Sequence, residues 1–209
     1  MKKPAHKYIV LHQKREKQII DTAKALILKR NITAVTMSDI AAACGISRQT
    51  LYKYFSSFDA LLYSIQEEII VHLPTLDATD ITSYLCDMAD ALYHYYRTNQ
   101  DDFMFICMFD VYIRTNQTED EINRHYRSII HQHLPKLSQI MQREIRLTGP
   151  YTVREVFACA LHMIWAFITR MAVLGSDFEE SGNVPEARSL EILKDMIRSY
   201  LRVNGVESA

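Results

Sequence analysis

Apolar residues recur every three to four positions through almost every long segment of this 209-residue chain, the period of a helix that turns one face to a core. Five glycines and five prolines are few interruptions for that length. The pattern predicts a nearly all-helical chain, with helices at about 13–30, 37–43, 48–54, 57–72, 80–97, 100–114, 119–146, 152–174 and 186–203. The clearest breaks are "HLPTLDATD" around Pro74, "LTGPY" around Gly149 and "GSDFEESGNVP" between Gly175 and Pro185. The first of these separates a head from a body, and neither part contains a repeat or a low-complexity tract.

Two short helices in the head meet at a tight turn. In "TMSDIAAACGIS", Thr36 is placed to cap the amide of Asp39, and Asp39 complements the dipole of the first turn. Gly45 ends that helix by taking the left-handed conformation, and Ser47 caps the next one. On this second helix Leu51 and Phe55 are four residues apart and share an inward face, whereas Gln49, Tyr52 and Lys53 project from the other side, with Arg48 and Thr50 near the start. Such a mixture suits the major groove of DNA, where Arg48 can offer two parallel N–H groups to guanine and Gln49 can pair with adenine. Lysine and the tyrosine hydroxyls suit the flanking phosphates.

Charge supports a polyanion partner for the head. Overall the chain is nearly neutral at −1, but residues 1–58 carry 11 Lys/Arg against 3 Asp/Glu, and the remainder carries 13 against 22. Part of the surplus sits in "MKKPAHKYIVLHQKR", which reads as a frayed, solvated terminus or as a basic arm tracking DNA, with Lys2, Lys3, Lys7, Lys14 and Arg15 as its cations.

Taken together, "IIDTAKALI", "TMSDIAAACGIS", "TLYKYF" and "DALLYSI", in this order and spacing, resemble the DNA-binding domain of the tetracycline-repressor (TetR) family of bacterial regulators over residues 15–65. The resemblance implies that Arg48, Gln49, Thr50, Tyr52 and Lys53 face an operator, and that Thr36, Tyr52 and Tyr54 sit at positions of usual phosphate contacts. Family members often have histidine at Tyr54 and lysine at Phe58, so the contact at the start of the fourth helix departs from the pattern. The implied architecture is an N-terminal three-helix helix-turn-helix domain, residues 1–58, followed by a larger C-terminal helical ligand-binding and dimerisation domain, residues 59–209.

The resemblance fades over the body, where physical pattern carries more. The helix predicted at 152–174 is apolar nearly all round its middle, and the last helix has a broad stripe of Leu190, Leu193, Met196, Ile197, Tyr200 and Leu201. Two such helices from each subunit make a four-helix interface, and a homodimer suits a palindromic site; the other reading is that both complete the monomer core. Soft and aromatic residues crowd 84–112, and Met88, Met104, Met108 and Tyr112, with His162 and Trp165 facing them, are candidate contacts for a small-molecule effector. The alternative is plain core.

Other chemistries find little support. Cys44, Cys86, Cys107 and Cys159 form no CxxC pair and read as reduced thiols, His125, His131 and His133 lack the i, i+4 metal spacing, and GxGxxG, P-loop, GxSxG and HExxH motifs are absent. The longest apolar stretch, Val156–Ile168, contains His162 and is shorter than the roughly 20 residues that cross a bilayer. The expectation is a cytoplasmic, non-enzymatic, homodimeric regulator without a cofactor or a membrane segment, a repressor released from a double-stranded DNA operator by an effector. An activator, or a helical ligand-binding or protein-interaction module that has lost specific DNA binding, remains the alternative.

Overall fold

The structure is a computed structural model that describes residues 4–73, 76, 80–133, 150–175 and 184–204. Among them are helices α1 (Pro4–Arg30), α2 (Met37–Ala43), α3 (Arg48–Tyr52), α4 (Phe58–Val71), α5 (Ile81–Thr98), α6 (Gln100–Asn116), α7 (Glu119–His133), α8 (Val153–Leu174) and α9 (Glu186–Val203), with a single 3₁₀ turn at Ile32–Ala34. The all-α reading holds among these residues. The end of the predicted 119–146 helix, the breaks at Pro74 and Gly149, and Lys2 and Lys3 lie outside the described residues.

Two differences from expectation have local causes. α1 begins at Pro4 rather than near residue 13, so the described part of the stretch expected as a frayed terminus or basic arm is helical. Proline suits that first position because its missing N–H has no helical partner to lose. α3 ends at Tyr52 rather than 54, because the Lys53 and Tyr54 amides turn to the carbonyls three residues back, Thr50 at 3.1 Å and Leu51 at 2.9 Å.

The chain divides into two compact units, Met1–Val71 with Phe105–Thr118, and His72–Met104 with Glu119–Ala209. In the first, α1 packs on α2 and α4, and α2 on α3. The stripe Ile19, Ala23 and Ile27 of α1 is wholly buried with Ile40, Leu51, Leu61 and Ile65. In the second, α5, α8 and α9 enclose a core that includes Tyr84, Leu85, Phe103, Phe157, Ile164 and Leu201.

α8 matches the helix predicted at 152–174. It is 22 residues long, and its most apolar window has a mean hydropathy of 1.7, so length and composition alone suffice to cross a bilayer. One face, with Phe157, Ile164, Ile168 and Met171, is buried in the core of its unit. Part of the opposite face stays open: Met163 and Val173 are exposed.

Candidate nucleic-acid interface

The turn between α2 and α3 is built as local rules require. Thr36 and Asp39 form a reciprocal capping box, the Asp39 amide donating to Thr36 Oγ1 at 3.2 Å and the Thr36 amide to Asp39 Oδ2 at 2.9 Å. The Thr36 hydroxyl also donates to that carboxylate, and these bonds hold Asp39 below the usual carboxylate range. Gly45 has φ of 64°, and the amides of Gly45 and Ile46 return to Ala42 and Ala41, closing α2. Ser47 then caps α3, its Oγ accepting from the Thr50 amide at 3.0 Å.

This turn decides which side of α3 is presented. Leu51 and Phe55 are buried, while Arg48, Gln49, Tyr52 and Lys53 are exposed and Thr50 is half-buried. Arg48 lies over the Tyr52 ring at 5.5 Å and donates to its hydroxyl at 3.3 Å, one turn away. The guanidinium is thereby positioned on the outer face. Tyr54, just past α3, stacks on His12 of α1 with ring centroids 4.5 Å apart. Phe58, at the head of α4, packs edge-on against Tyr112, 6.0 Å between centroids.

The effector candidates fall in both units. Met108 and Tyr112 belong to the first unit, where Tyr112 donates to Asp59 of α4 at 2.9 Å. Met88, Met104, His162 and Trp165 belong to the second. There Met88 is buried, Trp165 is half-buried with its ring 5.7 Å from Phe103, and His162 is exposed on α8. His162 is turned out because the helical period gives the inward positions on either side of it to Ala160 and Ile164. Met163 lines an open apolar groove of about 600 Å³ between α8 and α9, with Cys159, Leu193, Met196 and Tyr200.

Sequence reasoning missed three arrangements. The Tyr112–Asp59 bond and the cluster in which Tyr93, Tyr96 and Arg97 donate to buried Glu186 join residues 53 and about 90 positions apart, and no local signal marks them. The His12–Tyr54 stack did leave a trace, since His12 stands seven residues before Ile19 on the line of the buried stripe.

Comparison with known proteins agrees with this geometry. Residues 19–65 match the model of bacterial regulatory proteins of the tetR family. The chain is 46% identical over 43 residues to the HTH-type transcriptional regulator AlkX of Mycobacterium tuberculosis, covering 21% of this chain and 20% of that protein. It is 38% identical over 56 residues to the HTH-type transcriptional regulator EthR of Mycolicibacterium smegmatis, covering 27% and 26%. These alignments thus span only about a fifth to a quarter of the relatives' length. Among solved structures, GusR of Salmonella enterica superposes with a TM-score of 0.61 at 17% identity, over 90% of this chain and 95% of that one. NalD of Pseudomonas aeruginosa, described as the secondary repressor of the MexAB-OprM multidrug efflux pump, gives 0.60 at 16%, over 90% and 95%. At such identities the likeness is one of fold. Capped turn, outward Arg48 and Gln49 and the match over residues 19–65 make the head similar to the DNA-binding domain of bacterial regulatory proteins of the tetR family, while the chain as a whole shares the fold of GusR and NalD.

Proposed function

We propose that the chain is a homodimeric transcriptional repressor that binds a palindromic operator through α3 and is released by a small-molecule effector. The observation that carries the DNA reading is the exposed Arg48–Tyr52 pair beside Gln49, on a helix whose other face is anchored by Leu51 and Phe55. Arg48 and Gln49 read base edges, whereas Thr36, Thr50, Tyr52, Lys53 and Tyr54 position the helix on the backbone. The groove between α8 and α9 supports dimerisation: Met163, Ile192, Met196 and Tyr200 leave these two helices with large exposed apolar side chains. A second copy presenting the same face covers both grooves by two-fold symmetry. The two recognition helices then stand roughly 34–36 Å apart, or near a multiple of that, in the DNA-competent state.

Repression is proposed by analogy with NalD, which is described as a repressor and shares the fold; release by an effector is what the resemblance of the head implies. For the effector, the candidates in the second unit that are not exposed are Met88, Met104 and Trp165, and the core that holds Met88 also has half-buried Tyr93 and Tyr95 packed against it. Met108, Tyr112 and His162 complete the set proposed from sequence. Cytoplasmic location goes with this function, because the operator is there.

The test selects a duplex from a random-sequence pool with the full chain, then titrates variants against it. Arg48→Ala and Gln49→Ala are expected to lower discrimination by about 1–3 kcal/mol each, and Lys53→Ala to weaken all sequences alike. Parental behaviour in all three, or no enrichment from the pool, would remove the reading and favour a module without specific DNA binding.

A further inference from the structure

α1 is longer than the three-helix head requires. Its first wholly buried side chain is Ile19, and none of the side chains from Ile9 to Gln18 is buried. The helix nevertheless begins at Pro4, so it runs roughly 22 Å beyond the core at 1.5 Å per residue. Isolated helix of that length is marginal in water, which makes the contacts along it informative. His12 continues the buried stripe of Ile19, Ala23 and Ile27, and its ring lies on Tyr54, 4.5 Å between centroids and 29° between planes. Tyr54 directly follows the recognition helix and Lys53. Arg15 is three residues from His12 on the same side of α1 and donates to the neutral side chain of Gln18 at 2.9 Å. The first 20 residues hold six Lys/Arg and a single acidic residue, Glu16, whose carboxylate is 3.8 Å from His12 Nδ1.

We propose that this extension of α1 is a second DNA-contacting element that grips the backbone beside the recognition helix, with His12 and Arg15 as its phosphate contacts and Tyr54 as the ring that holds His12 in place. The partner is duplex DNA because the surplus charge is cationic and the extension is fixed, through Tyr54, to the end of the helix that reads the groove. Contacts of this kind carry no sequence information. The inference rests on the recognition-helix reading for its geometry but makes a different demand on binding: the extension acts equally on every sequence, and through salt.

Full-length chain is titrated by fluorescence anisotropy against two probes, a 30-base-pair random-sequence duplex pool and the duplex that the chain enriches from it. His12→Ala and Arg15→Gln are expected to weaken both probes by a similar factor, about three- to tenfold, and Arg15→Gln to reduce the salt slope by about one. His12→Phe keeps a ring on Tyr54 but has no N–H, and is expected to bind as weakly as His12→Ala. Arg48→Ala separates the two readings, because it should weaken the enriched duplex far more than the pool. Parental affinity for His12→Phe would reduce His12 to packing, and a parental salt slope for Arg15→Gln would remove Arg15; the two together overturn the proposal. Should His12→Ala melt early, His12→Phe and Arg15→Gln decide. A parent that binds the pool in a salt-dependent way yet enriches nothing would fail the recognition reading alone, whereas a parent that binds neither probe overturns both.

Discussion

The hydroxyl of Tyr112 in α6 donates to the carboxylate of Asp59, in the first turn of α4, at 2.9 Å. Three residues before Tyr112, α6 stays close to the same helix: Phe109 packs on Tyr63, 5.7 Å between centroids, and Tyr63 donates to Gln117 just past the end of α6. These contacts tie α6 to the helix that follows the recognition helix, so Tyr112 acts here as a tether within the first unit.

Burial, helped by the bond to Asp59, pushes the Tyr112 hydroxyl up to about 12. The neutral phenol is the form the fold holds, so its contribution is complete below the ordinary tyrosine value near 10 and is lost as pH rises through about 12. Tyr112→Phe should cost about 1 kcal/mol at neutral pH in urea denaturation and should lack that alkaline component. Equal stability of parent and variant at pH 7 would mean that the bond contributes nothing.

Met196 is 63% exposed on α9 although it lines the apolar groove with Met163 and Tyr200. A charge there disturbs little within one subunit but is buried when a second copy covers the groove. Met196→Glu should therefore sediment as a monomer at micromolar concentrations at which the parent is a dimer, with thermal unfolding of the monomer still cooperative. A monomeric parent would remove the dimer proposal.

Glu186 is buried at the start of α9 and accepts from Tyr93 at 3.3 Å, Tyr96 at 3.4 Å and Arg97 at 3.1 Å. Truncation removes the acceptor of the buried Tyr96 hydroxyl and the carboxylate that Tyr93 and Arg97 also meet. Glu186→Ala should cost about 2–3 kcal/mol in urea denaturation, and Glu186→Gln, which keeps one acceptor, distinctly less. The ordering of the two variants is the diagnostic result.

Gly45 has φ of 64°, and a Cβ built there meets no atom within 4 Å. Space is available, so the cost of a side chain is in the backbone alone. Gly45→Ala should lower stability by about 1–2 kcal/mol, with Gly45→Asn intermediate because asparagine tolerates the left-handed region. A thermal melt of both variants checks the order.

Much of the head was legible in the amino-acid order because its determinants are local. A threonine three residues before an aspartate, a glycine at a helix end and a serine at the next start are each settled within one turn of backbone, and Thr36, Gly45 and Ser47 occupy those roles. Leu51 and Phe55 turned inward, and Arg48 and Gln49 outward, for the same short-range reason. Periodicity also placed most of the helices, because a 3.6-residue apolar repeat leaves a chain few other ways to bury it. Only tertiary structure could send Tyr112 to Asp59 and bring Tyr93, Tyr96 and Arg97 onto Glu186. An aromatic or methionine stripe states that a face will be covered, but not by what. The partner is chosen by how whole helices pack, and that choice depends on the summed shape of side chains far apart in the chain.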